Sequence, residues 1–158
     1  MRTTASALKA RPPAWYWIVA ILGIIWALLN ILAVVGEYLP QSFAGIAKEN
    51  APFPWTVNVL YRTSIVLAVG TCLIAEVGLL RRRSWSVQIF AASLAISLLG
   101  FALRYGYGAL FAPPEWAYLI TVPYLVFNGV VLAGRILLLW FSVASRDRGW
   151  IAEGAAAT

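Results

Sequence analysis

The chain has 158 residues, 62% of them hydrophobic and only 11% charged, with a mean hydropathy of +0.82. A soluble domain is nearer half apolar and one-quarter charged, so this composition argues against a water-soluble globule. The net charge of +6 rests on 12 Lys and Arg, which against so apolar a background belong to the flanks of membrane spans and not to a nucleic-acid surface. A single Cys leaves no internal disulfide or Cys-x-x-Cys pair. The absence of His removes His-ligated haem, the usual zinc sites and any Ser–His or Cys–His hydrolase mechanism.

A spanning helix needs about 20 mostly apolar residues, because the hydrocarbon layer is about 30 Å thick and each residue rises about 1.5 Å. Four stretches qualify: residues 15–38, 55–80, 85–108 and 116–141. An open sheet facing lipid would leave backbone groups unpaired, so all four are read as helices of a single transmembrane domain, residues 1–158. The expected fold is an all-α, polytopic membrane protein built as an antiparallel four-helix bundle.

The first run is too long for a signal-peptide core and no small-x-small cleavage site follows it, so it reads as an uncleaved helix. Pro40 is expected to end it, and Gln41–Asn50 carries a weak amphipathic pattern for a short interfacial helix. Pro52 and Pro54 precede the second span, Arg81, Arg82 and Arg83 separate it from the third, and Pro113–Pro114 opens the fourth. Pro123, inside the fourth span, predicts a local kink.

Basic residues set the orientation. Arg2, Lys9 and Arg11 precede the first span, the triple arginine fills the second loop, and Arg146 and Arg148 follow the fourth span. Positive charge stays inside, so both termini, residues 1–13 and 146–158, are expected in the cytoplasm. Trp15, Trp17, Trp85 and Trp140 then mark the inner interface, and Tyr38, Trp55, Tyr107 and Trp116 the outer one. The tail 154–158 reads as disordered.

Helical residues four or seven apart share a face. Gly23, Trp26, Asn30 and Glu37 line up on the first span, and Asn58, Arg62 and Glu76 on the second. Ser93, Ser97, Gly100 and Arg104 do so on the third, and Thr121, Tyr124, Asn128 and Arg135 on the fourth. Charge is costly at a helix centre, so these faces are expected to turn inward. Similar depth makes Glu76–Arg135 an expected ion pair, and Asn30 and Asn128 are placed to hydrogen-bond across the core. These four are read as structural polar residues.

Glu37, Arg62 and Arg104 form a second, outer group, whose excess of arginine could receive an anion, with Tyr61, Tyr105 and Tyr107 lining the approach. No catalytic constellation emerges: Lys9 and Lys48 lie outside the spans, and Glu37 and Glu76 sit near opposite surfaces. No metal motif or phosphate loop is seen, and Cys72 reads as a buried, unreactive thiol. The first and third spans share Leu28-Leu29-Asn30 and Leu98-Leu99-Gly100, a faint sign of two hairpins in parallel orientation.

Pro13-Ala14-Trp15-Tyr16-Trp17 with Ile18-Val19-Ala20 and Trp26, then Pro54-Trp55, the Leu79-Leu80-Arg81-Arg82 exit, Trp85 and Ser93-Leu94, resembles a widespread group of small four-helix bacterial inner-membrane proteins. The resemblance covers most of the chain and departs from the group's Trp-Asn pair at Trp26-Ala27, with Asn30 a turn later. It implies an inner-membrane location. Such proteins are generally uncharacterised and sometimes labelled transporter-like, so it implies no mechanism.

The functional expectation is a non-enzymatic multi-pass protein acting through helix contacts, as an accessory subunit of a larger membrane complex. The alternative is a small oligomeric transporter or carrier with an outward-facing cavity for an anionic or polar solute. No cofactor, metal or nucleic acid is expected. The expected partners are the lipid bilayer, other membrane subunits or a second copy.

Overall fold

Long runs of Leu, Ile, Val and Ala with few charges give the backbone no water to bond, so each run closes its own i→i−4 hydrogen bonds. The computed structural model describes residues 11–43, 55–111 and 122–151, without the side chains of 37–43, 55–58, 108–109 and 122–124. It contains α1 (Ala14–Phe43), α2 (Trp55–Leu80), α3 (Trp85–Phe101), a π-helical turn (Ala102–Gly106), a short α4 (Tyr107–Phe111) and α5 (Val122–Asp147). Four stretches are long and apolar enough to cross a membrane: Ala14–Gly36, Val59–Leu80, Trp85–Gly106 and Leu125–Asp147, of 22 or 23 residues each. At about 1.5 Å per residue these match a hydrocarbon layer of about 30 Å. Large apolar side chains such as Ile18, Leu22, Leu29 and Leu32 cover the outside of α1.

One proline behaves differently from its sequence reading. Helix α1 runs through Pro40 to Phe43 instead of ending there. A proline so near the C-terminus removes one bond, to the carbonyl of residue 36, and only three residues follow it in the helix. Pro123 is the second residue of the described part of α5, and the turn before it, where the kink is expected, lies outside the described residues. Gln41–Phe43 continue α1. The rest of the candidate interfacial segment, the tail 154–158, and the side chains of Glu37, Tyr38, Trp55, Trp116, Thr121 and Tyr124 lie outside the described residues.

Helices α2 and α3 pack most extensively, and α1 joins α2 while α5 joins α3. Glycines set the close approaches: a Cβ on Gly78 would overlap the Trp85 ring, and one on Gly100 would overlap the Ser64 hydroxyl. Ser93 Oγ donates to the Ala68 carbonyl at 2.7 Å, bonding α3 to α2 inside the membrane segment. The backbones of α1 and α5 stay farther apart and meet through large side chains. Trp26 lies against Gly134, and the Tyr16 and Phe141 rings are 5.6 Å apart.

The start of α1, the end of α2, the start of α3 and the end of α5 meet at one end of the molecule, called here the arginine end. Two helix C-termini close there in the same way. Arg83 N–H donates to Gly78 O and Arg82 N–H to Leu79 O, while Trp150 N–H donates to Ser145 O and Gly149 N–H to Arg146 O. Both are Schellman caps, which require a left-handed residue at the turn. Gly149 supplies it after α5 at φ +70°, but Arg82 supplies it after α2 at φ 56°. A non-glycine residue there carries strain of roughly 1 kcal/mol. The Arg82 side chain accounts for its presence, because its Nε donates to the Trp150 carbonyl at 2.5 Å and fastens one cap to the other.

The main apolar core lies just inside this end. Tyr16, Ala20, Leu79, Phe90, Phe141 and Ile151 belong to it and are buried. The Tyr16 hydroxyl donates to the Leu79 carbonyl at 2.7 Å, a second bond to the acceptor that the α2 cap already uses. Arg148 stacks over Trp150, its guanidinium carbon 4.9 Å from the ring centre.

Candidate functional site

Away from the arginine end the packing opens into a cavity of about 120 Å³. Asn30 enters it from α1, and Tyr61 and Ser64 from α2. Ser97, Arg104 and Tyr105 come from α3 and the π-helical turn, and Asn128 and Arg135 from α5. Val34, Ile65, Phe101, Val131 and Leu132 supply the apolar remainder. No acidic side chain among the described residues lines it.

Arg104 and Tyr105 both lie in the wider turn over Ala102–Gly106, and both line the cavity, each bonded to a different helix. Arg104 Nη1 donates to the Tyr61 hydroxyl on α2, and its guanidinium carbon lies 5.0 Å from the centre of that ring. Tyr105 stacks on Phe101 at 4.4 Å and accepts a bond of 2.8 Å from Asn128 Nδ2 on α5.

Arg135 is buried, with 5% of its surface exposed. Its Nη1 donates to Ser97 Oγ and lies 3.5 Å from the Ser93 carbonyl. The expected Glu76–Arg135 ion pair does not form: both Glu76 oxygens are buried without a hydrogen-bond partner among the described residues. The guanidinium follows the serine face of α3, whereas the Glu76 carboxyl turns to α1, where Gly23 leaves room for it. The expected Asn30–Asn128 bond is absent too. Asn30 Nδ2 donates to Trp26 O on its own helix at 2.7 Å, while Asn128 reaches Tyr105.

Of the residues the sequence put forward for ligand binding, Arg104, Tyr61 and Tyr105 are brought together around the cavity. Arg62 is half-buried and is not among the lining residues; the Glu37 side chain lies outside the described residues. Arg135, Asn30 and Asn128, read from sequence as structural, line the same space. Ser64 was not singled out in sequence, and its fit into the notch at Gly100 is the signal that places it. Two guanidinium groups beside hydroxyl and amide donors make a setting suited to a small anion.

No family model matches the chain, and no solved structure matches it. Over 100 residues it is 29% identical to Protein TsgA of Escherichia coli O157:H7 (strain EC4115 / EHEC), and to Protein TsgA of Shigella dysenteriae serotype 1 (strain Sd197) to the same extent. The match takes in 60% of this chain and 23% of each of those proteins. The chain thus spans about a quarter of the length of the curated relatives it matches. What the comparison supports is a partial likeness to a bacterial protein.

Proposed function

We propose that the chain is a small membrane carrier that takes an anionic solute into the cavity among its four long helices. The observation that supports this reading is Arg135: a buried guanidinium that faces the cavity and has no ion pair among the described residues. A cation at the centre of a spanning helix costs at least about 2.5–3.5 kcal/mol. A bound anion would offset that cost, and Arg104 across the cavity would share the load. In this reading the helices cross a bacterial inner membrane in alternating directions with the arginine end in the cytoplasm, since positive charge stays inside. The cavity then faces the outer half of the bilayer.

An accessory-subunit role through helix contacts draws on the apolar flank of α1, but lipid contact calls for the same flank. It gives Arg135 no task, so the carrier is the better reading. The test is binding of sulfate and acetate to the whole chain in lipid nanodiscs, followed by uptake into proteoliposomes. Arg135→Gln and Arg104→Gln are expected to weaken binding at least about tenfold, the equivalent of 1.4 kcal/mol, while Arg146→Gln, exposed at the far end, leaves it unchanged. Equal binding by all three variants, or no saturable binding by the wild type, ends the carrier reading.

A further inference from the structure

Between the cavity and the arginine end lies a second polar position that the anion site does not use. Glu76 on α2 is 0% exposed. Neither carboxyl oxygen has a hydrogen-bond partner among the described residues. Its carboxyl rests on α1 at Gly23, so close that a Cβ there would overlap it. That face of α1 continues from Gly23 through Trp26 to Asn30, which lines the cavity. Trp26 Nε1 is likewise buried with no partner among the described residues. The face of α1 on which the carboxyl rests thus runs on to a cavity-lining residue, one turn beyond the unpartnered Trp26.

None of the charged and titratable groups around Glu76 bonds to its carboxyl among the described residues. On α1, Tyr16 donates its hydroxyl to Leu79 O. Below it, Arg82 holds the Trp150 carbonyl. On α5, Arg135 is bonded to Ser97. On α2 itself, Cys72 is one turn away as a buried free thiol. The sequence of α3, Trp85–Phe101, contains no titratable side chain. A buried carboxylate in that position needs either a cation or a proton. A metal ion gathers several oxygen ligands around itself, and no cluster of acidic or Cys side chains able to supply them is found among the described residues. A proton needs none.

We propose that Glu76 is a proton-binding site coupled to the anion cavity, so that the carrier moves its anion together with a proton. This rests on the anion-carrier reading. The step is a simple exchange: the carboxylate gains a proton arriving by way of the cavity and returns it on release, with no other bond made or broken. The coupling is electrostatic and reciprocal. The ionised carboxylate repels an anion held at Arg135, and the neutral acid does not. Anion binding and protonation therefore strengthen each other.

The experiment uses the full chain in nanodiscs, with infrared difference spectra read at the carbonyl stretch of a protonated carboxyl, with and without sulfate. The wild type is expected to show a band that sulfate shifts or intensifies and that Glu76→Gln abolishes. Sulfate affinity is expected to fall as pH rises in the wild type, by as much as about tenfold per pH unit for one linked proton, and to be flat in Glu76→Gln. A band that persists in Glu76→Gln, or a sulfate affinity with the same pH profile in both, overturns the proposal. So does stabilisation by sodium over choline at fixed pH that only the wild type shows, since that assigns a metal cation. If the variant does not fold, the wild-type band decides: insensitivity to sulfate overturns the coupling. A Glu76 band in a wild type that binds no anion at any pH ends the carrier reading and the coupling with it, leaving only an isolated protonated carboxyl.

Discussion

The two halves of the molecule solve the problem of burying polar groups in opposite ways. At the arginine end the C-termini of α2 and α5 are closed: two Schellman caps, the Tyr16–Leu79 bond and the Arg82–Trp150 bond tie the backbone over a filled apolar core. In the cavity half, polar side chains meet one another around open space, and Arg135 relies on serine in place of a counter-ion. The first pattern gives rigidity. The second leaves polar groups around open space, an arrangement that costs stability in a low-dielectric interior.

Truncating one aromatic in each half is the strongest way to break this contrast. Phe90 is 1% exposed in the core, so Phe90→Ala is expected to destabilise by about 3 kcal/mol. Phe101 borders the cavity, and Phe101→Ala is expected to cost about 1 kcal/mol or less, because part of its surface already faces a void. Thermal unfolding in one detergent compares them, and equal losses would mean that the halves are packed alike.

A smaller effect separates strain from function at the turn. Arg82→Ala keeps the left-handed backbone cost and loses the bond to Trp150, an expected loss of about 1–2 kcal/mol. Arg82→Gly removes the strain with the bond and is expected to come out near neutral. Both are read from unfolding midpoints. The smallest expected change is Asp147→Asn: its 3.6 Å pair with Arg146 is exposed on both sides, so removal should cost less than about 0.5 kcal/mol by the same measurement.

The apolar spans were legible because lipid imposes a length and a composition that few other environments do. The face Ser93, Ser97, Gly100 and Arg104 was legible because its spacing follows the helical period, and three of the four line the cavity. Tyr61 and Tyr105 were found through their proximity in sequence to arginine. What escaped depended on where a side chain turns once several helices are in place. Depth alone paired Glu76 with Arg135, but the empty notch at Gly23 and the serines of α3 drew them apart. Pro40 was misread for a related reason, since a proline's effect depends on how much helix lies on each side.

The widened turn at Ala102–Gly106 has a consequence for how this chain tolerates length changes. Arg104 and Tyr105 are carried by a local surplus of backbone, so removing Ala102 or Leu103 would rewind the coil and swing both off their targets while leaving their own side chains intact. Insertions and deletions in this short stretch therefore act as rotations of the cavity wall, a kind of variation that substitution scanning would never sample.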